Sequence, residues 1–254
     1  MNDTYRGYGN AAGTMDMSVD AGLRSFMLGV YNKMGLGLIL SAALAYAVGT
    51  VAPLTQLVLG TPLLYVVQFG PIVLLLGSMF FMRRPSPMGS AVLYWSIVTL
   101  IGMGLSVWVF IAQNSMEVTS ASGTAINVSF TTIGQAFFIT ASAFLGLSLW
   151  GYTTKRNLSG IGSFLFMAAW GAIAISLLNV FFFQSQGIEL LIQIVFLGLM
   201  AGIVAWQTQT LKASYYAYQG DTRSLAVMTN MGALNLYLAF VNIFQIILSL
   251  LGRE

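Results

Sequence analysis

The sequence predicts an all-α integral membrane protein of seven transmembrane helices, with the N-terminus cytoplasmic and the C-terminus outside. Three observations carry this. First, the chain is 57% hydrophobic and only 7% charged, against about 25% charged in a soluble domain. Second, its apolar stretches are each about 20 residues long, enough to cross a bilayer. Third, nine of its ten basic residues alternate from segment to segment. Arg6, Arg24 and Lys33 lie before or at the start of the first stretch. Arg83 and Arg84 follow the second, Lys155 and Arg156 the fourth, and Lys212 and Arg223 the sixth. Short cytoplasmic loops collect Lys and Arg because these residues are the least readily moved across a bilayer. Arg253 alone breaks the alternation.

Taken in order, residues 1–25 are polar, Gly-rich and unperiodic, which predicts a flexible cytoplasmic tail; residues 26–254 form one membrane domain. The spans are expected at 34–52, 62–81, 89–112, 131–152, 161–183, 188–208 and 229–252. The first is expected to serve as an uncleaved insertion signal, since the tail lacks the apolar core of a cleavable one. Pro71 in the second span predicts a kink. The loop at 113–130 is rich in Ser, Thr and Asn and carries only Glu117; Glu189 sits at the mouth of the sixth span. The pI of 9.2 follows from the loop bias, not from nucleic-acid binding, because no basic run exceeds two residues.

With neither Cys nor His, the chain has no disulfide, thiolate metal site, Ser–His protease or His-ligated metal. No Lys for a Schiff base lies in the seventh span. No acidic or basic residue is expected near the middle of any span, so the chemistry available there is amides and hydroxyls. These are Gln68 and Ser78 in span two, Asn179 in span five, Gln193 and Gln207 in span six, and Asn235 and Asn242 in span seven. Gly232, Asn235, Ala239 and Asn242 are spaced three, four and three apart, one stripe of a helix. The stripe is expected to face the bundle. Gln193, Met200 and Gln207 share a heptad face, and Gly198 with Gly202 forms a GxxxG. Helix packing explains any one of these residues, since small and polar groups join spans together. A hydrated path lined by Gln207, Asn235 and Asn242 explains them jointly. Arg83–Arg84 and Lys155–Arg156 fit topology and headgroup contact; they also fit an arginine that folds back to close the cytoplasmic end of a pore.

Several runs go further. Phe138-Ile-Thr-Ala-Ser-Ala-Phe-Leu-Gly-Leu-Ser-Leu-Trp-Gly-Tyr-Thr-Thr-Lys-Arg156 is followed by Asn157-Leu-Ser-Gly-Ile-Gly-Ser-Phe-Leu165. Later come Ala205-Trp-Gln-Thr-Gln209 and Gly232-Ala-Leu-Asn-Leu-Tyr-Leu-Ala-Phe-Val-Asn-Ile-Phe244. Asp20-Ala-Gly-Leu-Arg24 leads into Val30-Tyr-Asn. Together they resemble the transmembrane Bax inhibitor motif family (Bax inhibitor-1-like proteins) in its bacterial branch, from about residue 20 onward. The resemblance implies seven helices with the seventh central, in a bacterial inner membrane. It implies a pH-sensitive calcium leak channel tied to stress survival or, for some bacterial members, a modulator of a membrane-bound ATP-dependent protease. It also implies a pH sensor of two aspartates sharing a proton. At those positions this chain has Gln207 and Ala239, so pH gating is expected to be altered or lost. The expected partners are the bilayer, weakly held calcium or another cation, and a membrane protease; no cofactor, catalytic residue or metal site is expected. A cation leak and a non-conducting regulator remain the two functional readings.

Overall fold

The computed structural model describes residues 6–81, 85–120, 122–154 and 156–253, with side chains from residue 21 onward except at 81 and 159. Arg83, Arg84 and Lys155 lie outside the described residues. Among the described residues, eight α-helices and one small hairpin make up the fold: α1 Arg6–Thr50, α2 Ala52–Leu59, α3 Leu63–Phe81, α4 Pro87–Asn114, β1 Glu117–Thr119, β2 Ala125–Asn127, α5 Phe130–Thr153, α6 Ser159–Leu178, α7 Gln186–Ala217 and α8 Thr222–Leu251. All except α2 are long and apolar enough to span a membrane, which gives seven spans.

The seventh span, α8, is the axis of the bundle. Half of its most apolar window is buried, against 11–33% for the other six. It packs on α1, α4, α5 and α7, while α3 lies outside α4 and α6 outside α7. Leu234, Leu236, Tyr237, Ile243 and Leu248 of α8 are fully enclosed, together with Val30, Tyr94, Ile97, Val98 and Val204. Large side chains on the outer helices, such as Phe80, Trp170 and Phe182, are exposed. In a bilayer that outward face meets acyl chains, so its exposure costs nothing.

The first span begins earlier than hydropathy suggests. Leu23, Phe26, Met27, Val30 and Met34 recur at helical spacing and are buried, so residues 21–25 belong to the packed helix and not to a tail. Lys33 therefore lies well inside the Ala21–Thr50 span, not at its start. Helices α7 and α8 also outrun their apolar cores, because polar Lys212, Ser214 and Ser224 continue the backbone hydrogen bonding into the interface. The Ser/Thr-rich loop contains an antiparallel hairpin in register Glu117↔Asn127, Val118↔Ile126 and Thr119↔Ala125, turned at Gly123 with φ +85°. Hydroxyl and carboxylate caps set the helix starts: Ser86 accepts from Gly89 N, Ser129 and Thr132 form a reciprocal capping box, and Asp221 accepts from Arg223 N and Ser224 N.

Candidate functional site

Two contacts set the antiparallel register of α7 on α8. Leu211 fills the notch at Gly232, where a Cβ would lie 2.4 Å from the leucine Cδ2. Further along, Gln193 Nε2 donates to Ser249 Oγ at 3.1 Å. Between them Gln207 comes level with Asn235 and Leu236. Ala239, 4% exposed, lies about one 5.4 Å turn further toward the hairpin side.

The segment Ala205–Gln209 shows why Gln207 stands apart. Its four neighbours are consumed by packing. Ala205 presents its backbone to Gly151, where a Cβ would come within 2.4 Å of the Ala205 carbonyl oxygen, and the Trp206 ring occupies the space a side chain at Gly162 would need. Thr208 Oγ1 donates to Val204 O at 2.9 Å and shares a 3.2 Å hydrogen bond with Ser148 Oγ, which also bonds the Tyr31 hydroxyl. Gln209 binds the loop after α5, accepting from Leu158 N at 2.7 Å and donating to Arg156 O at 2.8 Å. Gln207 Oε1 is buried and has no hydrogen-bond partner among the described residues. A buried amide oxygen left open costs about 1–3 kcal/mol, and it is a neutral ligand for a cation or a water.

The stripe expected to face the bundle is split. Gly232 and Ala239 are buried, whereas Asn235 and Asn242 are exposed, and Asn242 Nδ2 turns back on Leu238 O at 2.8 Å. This face of α8 lies on the side away from the burying helices. Close to it Gln245 meets Gln68 and Pro71 of α3 and Trp108 of α4 around a cavity of about 260 Å³. The GxxxG is also split, since Gly198 faces open space and Gly202 meets Leu165. Asn179 does not line this region. It is buried at the end of α6, where a π-helical turn, Asn179–Phe183, reverses the chain. Its side chain bonds the backbone of Ser185 in both directions at 3.1 Å, so it is a cap for that reversal.

Two polar clusters escaped the sequence reading. On the basic side, Lys33 Nζ donates to Asn230 Oδ1, while Asn230 Nδ2 donates to Pro87 O at 3.0 Å and Ser90 Oγ at 2.7 Å. Lys33 Nζ also lies 5.8 Å from the centre of the Tyr94 ring, and the Tyr94 hydroxyl donates to Lys33 O at 2.7 Å. The helical spacing Leu23–Met34 was the available signal that Lys33 is internal. On the hairpin side, Glu189 gathers five donors. Ser120, Ser122 and Thr124 donate to Oε2; Gln193 Nε2 and Arg253 Nη2 donate to Oε1, the latter at 2.5 Å. Arg253 and Glu189 side chains are 13% and 18% exposed. The one basic residue that breaks the alternation is thus neutralised by an acid.

The family described as "Inhibitor of apoptosis-promoting Bax1" matches residues 23–254. The chain is 44% identical to an uncharacterised protein of Caulobacter vibrioides, covering 99% of this chain and 98% of that one. It is 32% identical to an uncharacterised protein of Rickettsia prowazekii, over 92% of each, and 30% identical to the inner membrane protein YbhL of Escherichia coli, over 92% of this chain and 94% of YbhL. With seven spans about a central α8 and a match over nearly its whole length, the chain belongs to the Bax inhibitor-1 family and is a multi-pass protein of the bacterial inner membrane.

Proposed function

We propose that this protein is a cation leak of the Bax inhibitor type, passing calcium without pH gating. The observation that carries the reading is the uncommitted Gln207 oxygen on the α7–α8 seam. It sits where the family resemblance places a titrating acid, level with exposed Asn235 on the open face of α8. Amide oxygens solvate a cation without trapping it, and they do not titrate. Flux is therefore weakly calcium-selective and flat between about pH 6 and 8, the window in which a shared-proton carboxylate pair responds. In this reading the basic side faces the cytoplasm, in keeping with the positive-inside bias and with Arg253 being ion-paired. The test is calcium flux into liposomes containing pure protein at the two pH values. Flux that changes steeply between them would falsify pH-independent gating, and an absence of flux at both would remove the leak.

A second reading, a non-conducting regulator of a membrane-bound ATP-dependent protease that modulates stress survival, draws on α1. This helix continues from Ala21 back to Arg6, about 22 Å at 1.5 Å per residue, and forms an arm on the basic side. Deleting residues 1–20, and no further because Leu23 is core, should abolish co-purification with the protease and leave the bundle folded. Unchanged co-purification removes the arm as the handle.

A further inference from the structure

The half-enclosed cavity on the hairpin side, between α1, α4, α5 and α8, has a volume of about 360 Å³ and an almost wholly apolar lining. Its walls are Trp108, Phe137 and Phe240; its space is left by Ala42, Ala45 and Gly134. The gap is built by small residues. A Cβ placed on Gly134 meets nothing within 4 Å. The single hydroxyl in the floor, Ser41 Oγ, is committed to Val98 O at 3.1 Å and to the Tyr237 hydroxyl at 2.7 Å. With an almost wholly apolar lining and its floor hydroxyl already bonded, the cavity favours an apolar occupant over water.

We propose that this slot is a binding site for one acyl chain of a membrane phospholipid, taken from the leaflet on the hairpin side. Depth supports this occupant. Gly134 lies four residues from the start of α5 at Phe130, and Ala45 five residues from the end of α1 at Thr50. The slot therefore begins about 6–8 Å inside the helix ends and runs about 12 Å deeper along α1 from Tyr46 to Leu38. This is within the hydrocarbon of one leaflet, along the direction in which acyl chains lie. At the mouth, the rings of Tyr46, Phe130 and Phe137 are exposed, so none of the described residues closes it. Size excludes a helix from a second copy. A cylinder of about 10 Å diameter over that length needs more than twice the volume, whereas a single hydrocarbon chain fits. Filling restores to Phe240 and Trp108 the dispersion contacts that an empty slot forfeits. It also places the lipid against α8 next to Ala239.

The site is tested by photo-crosslinking. The full chain is placed in vesicles of phosphatidylethanolamine and phosphatidylglycerol doped with a phosphatidylglycerol that carries a diazirine in its acyl chain, and adducts are mapped by mass spectrometry. Adducts on the slot walls are expected to exceed those on the open lipid face of α6, at Phe164 and Trp170, by about tenfold. Gly134→Phe, which projects a ring into the slot, should abolish that excess and leave α6 labelling unchanged. Gly134→Ala should label as the parent does. Ala42→Leu fills the slot from the opposite wall and provides the same reading if the phenylalanine variant does not fold. Equal labelling of slot and α6 in the parent overturns the site. So does an excess that survives both filling variants, or cross-linking of the mouth to a second copy without lipid adducts.

Discussion

The Glu189 cluster makes a prediction about unequal partners. Glu189→Ala strips the counter-charge from Arg253, whose Nε already lacks a partner among the described residues, takes the carboxylate acceptor from Ser120, Ser122 and Thr124, and leaves the Gln193 amide only Ser249. Breaking a fully buried ion pair costs about 3–5 kcal/mol. With 18% of the Glu189 side chain exposed, the lower end, about 3 kcal/mol, applies. Arg253→Ala removes one charged donor but leaves Glu189 with four others, so it costs about 1.5 kcal/mol. At about 2–4 °C per kcal/mol for a chain of this length, the losses in Tm are about 6–12 °C and about 3–6 °C. The double variant should lose less than the sum of the two, because no unpaired charge remains. Thermal unfolding in detergent, followed by tryptophan fluorescence, checks the order. An Arg253→Ala variant less stable than Glu189→Ala, or strict additivity, refutes the view that the carboxylate is the hub.

Gly151→Ala should destabilise by about 1–3 kcal/mol, since its Cβ meets the Ala205 carbonyl oxygen at 2.4 Å, a backbone atom that cannot rotate away. Gly146→Ala on the same helix meets nothing and should hold or raise Tm in the same melt. Asp221 lies before α8, and the Ser224 hydroxyl and then the Ser224 amide, both donating to it, hold its carboxyl below the ordinary 3.8. A depressed folded-state pKa stabilises above the unfolded value and is lost as pH falls through the folded one. The Tm advantage of the parent over Asp221→Ala should therefore be constant near neutrality and shrink only below pH 3.8. In liposomes, Gln207→Asp combined with Ala239→Asp should introduce a pH dependence of calcium flux between about pH 6 and 8 that the parent lacks; identical profiles refute the assignment of gating to this pair of positions.

The seven spans were legible because hydropathy and basic-residue alternation each report on the bilayer directly. The ends of the spans were not. Hydropathy ends the sixth span at 208 and begins the seventh at 229, whereas the helical hydrogen-bond ladder runs on to Ala217 and already starts at Thr222. The hairpin left a readable trace in Val118-Thr119 and Ala125-Ile126 around Ser120–Thr124, where β-branched residues flank a turn with glycine. The stripe on α8 shows the limit of a helical wheel. Spacing puts Asn235, Ala239 and Asn242 near one another on the helix surface, but which of them is covered depends on where α1, α5 and α7 sit. The resemblance named Gln207 and Ala239 as the departures from the family; the Oε1 left open at Gln207 became visible only once Trp206, Thr208 and Gln209 were seen to be occupied. The pairing of Arg253 with Glu189 spans 64 residues and left no local signal.

The position of α8 has a consequence for how the molecule is made. The helix that every inner helix packs against is also the last of the seven to leave the ribosome. During synthesis α1 and α4 have each other, joined where Gly102 meets Ser41 and Gly49 meets Val109, and α5 and α7 are joined where Gly151 meets Ala205. These two half-assemblies sit in the bilayer with their inner faces turned to lipid until Thr222–Leu251 arrives between them. Nascent chains halted before Thr222 thus display Lys33, Ser41 and Ser90 with none of their α8 partners. Only the arrival of the last helix gives those three polar groups their α8 partners.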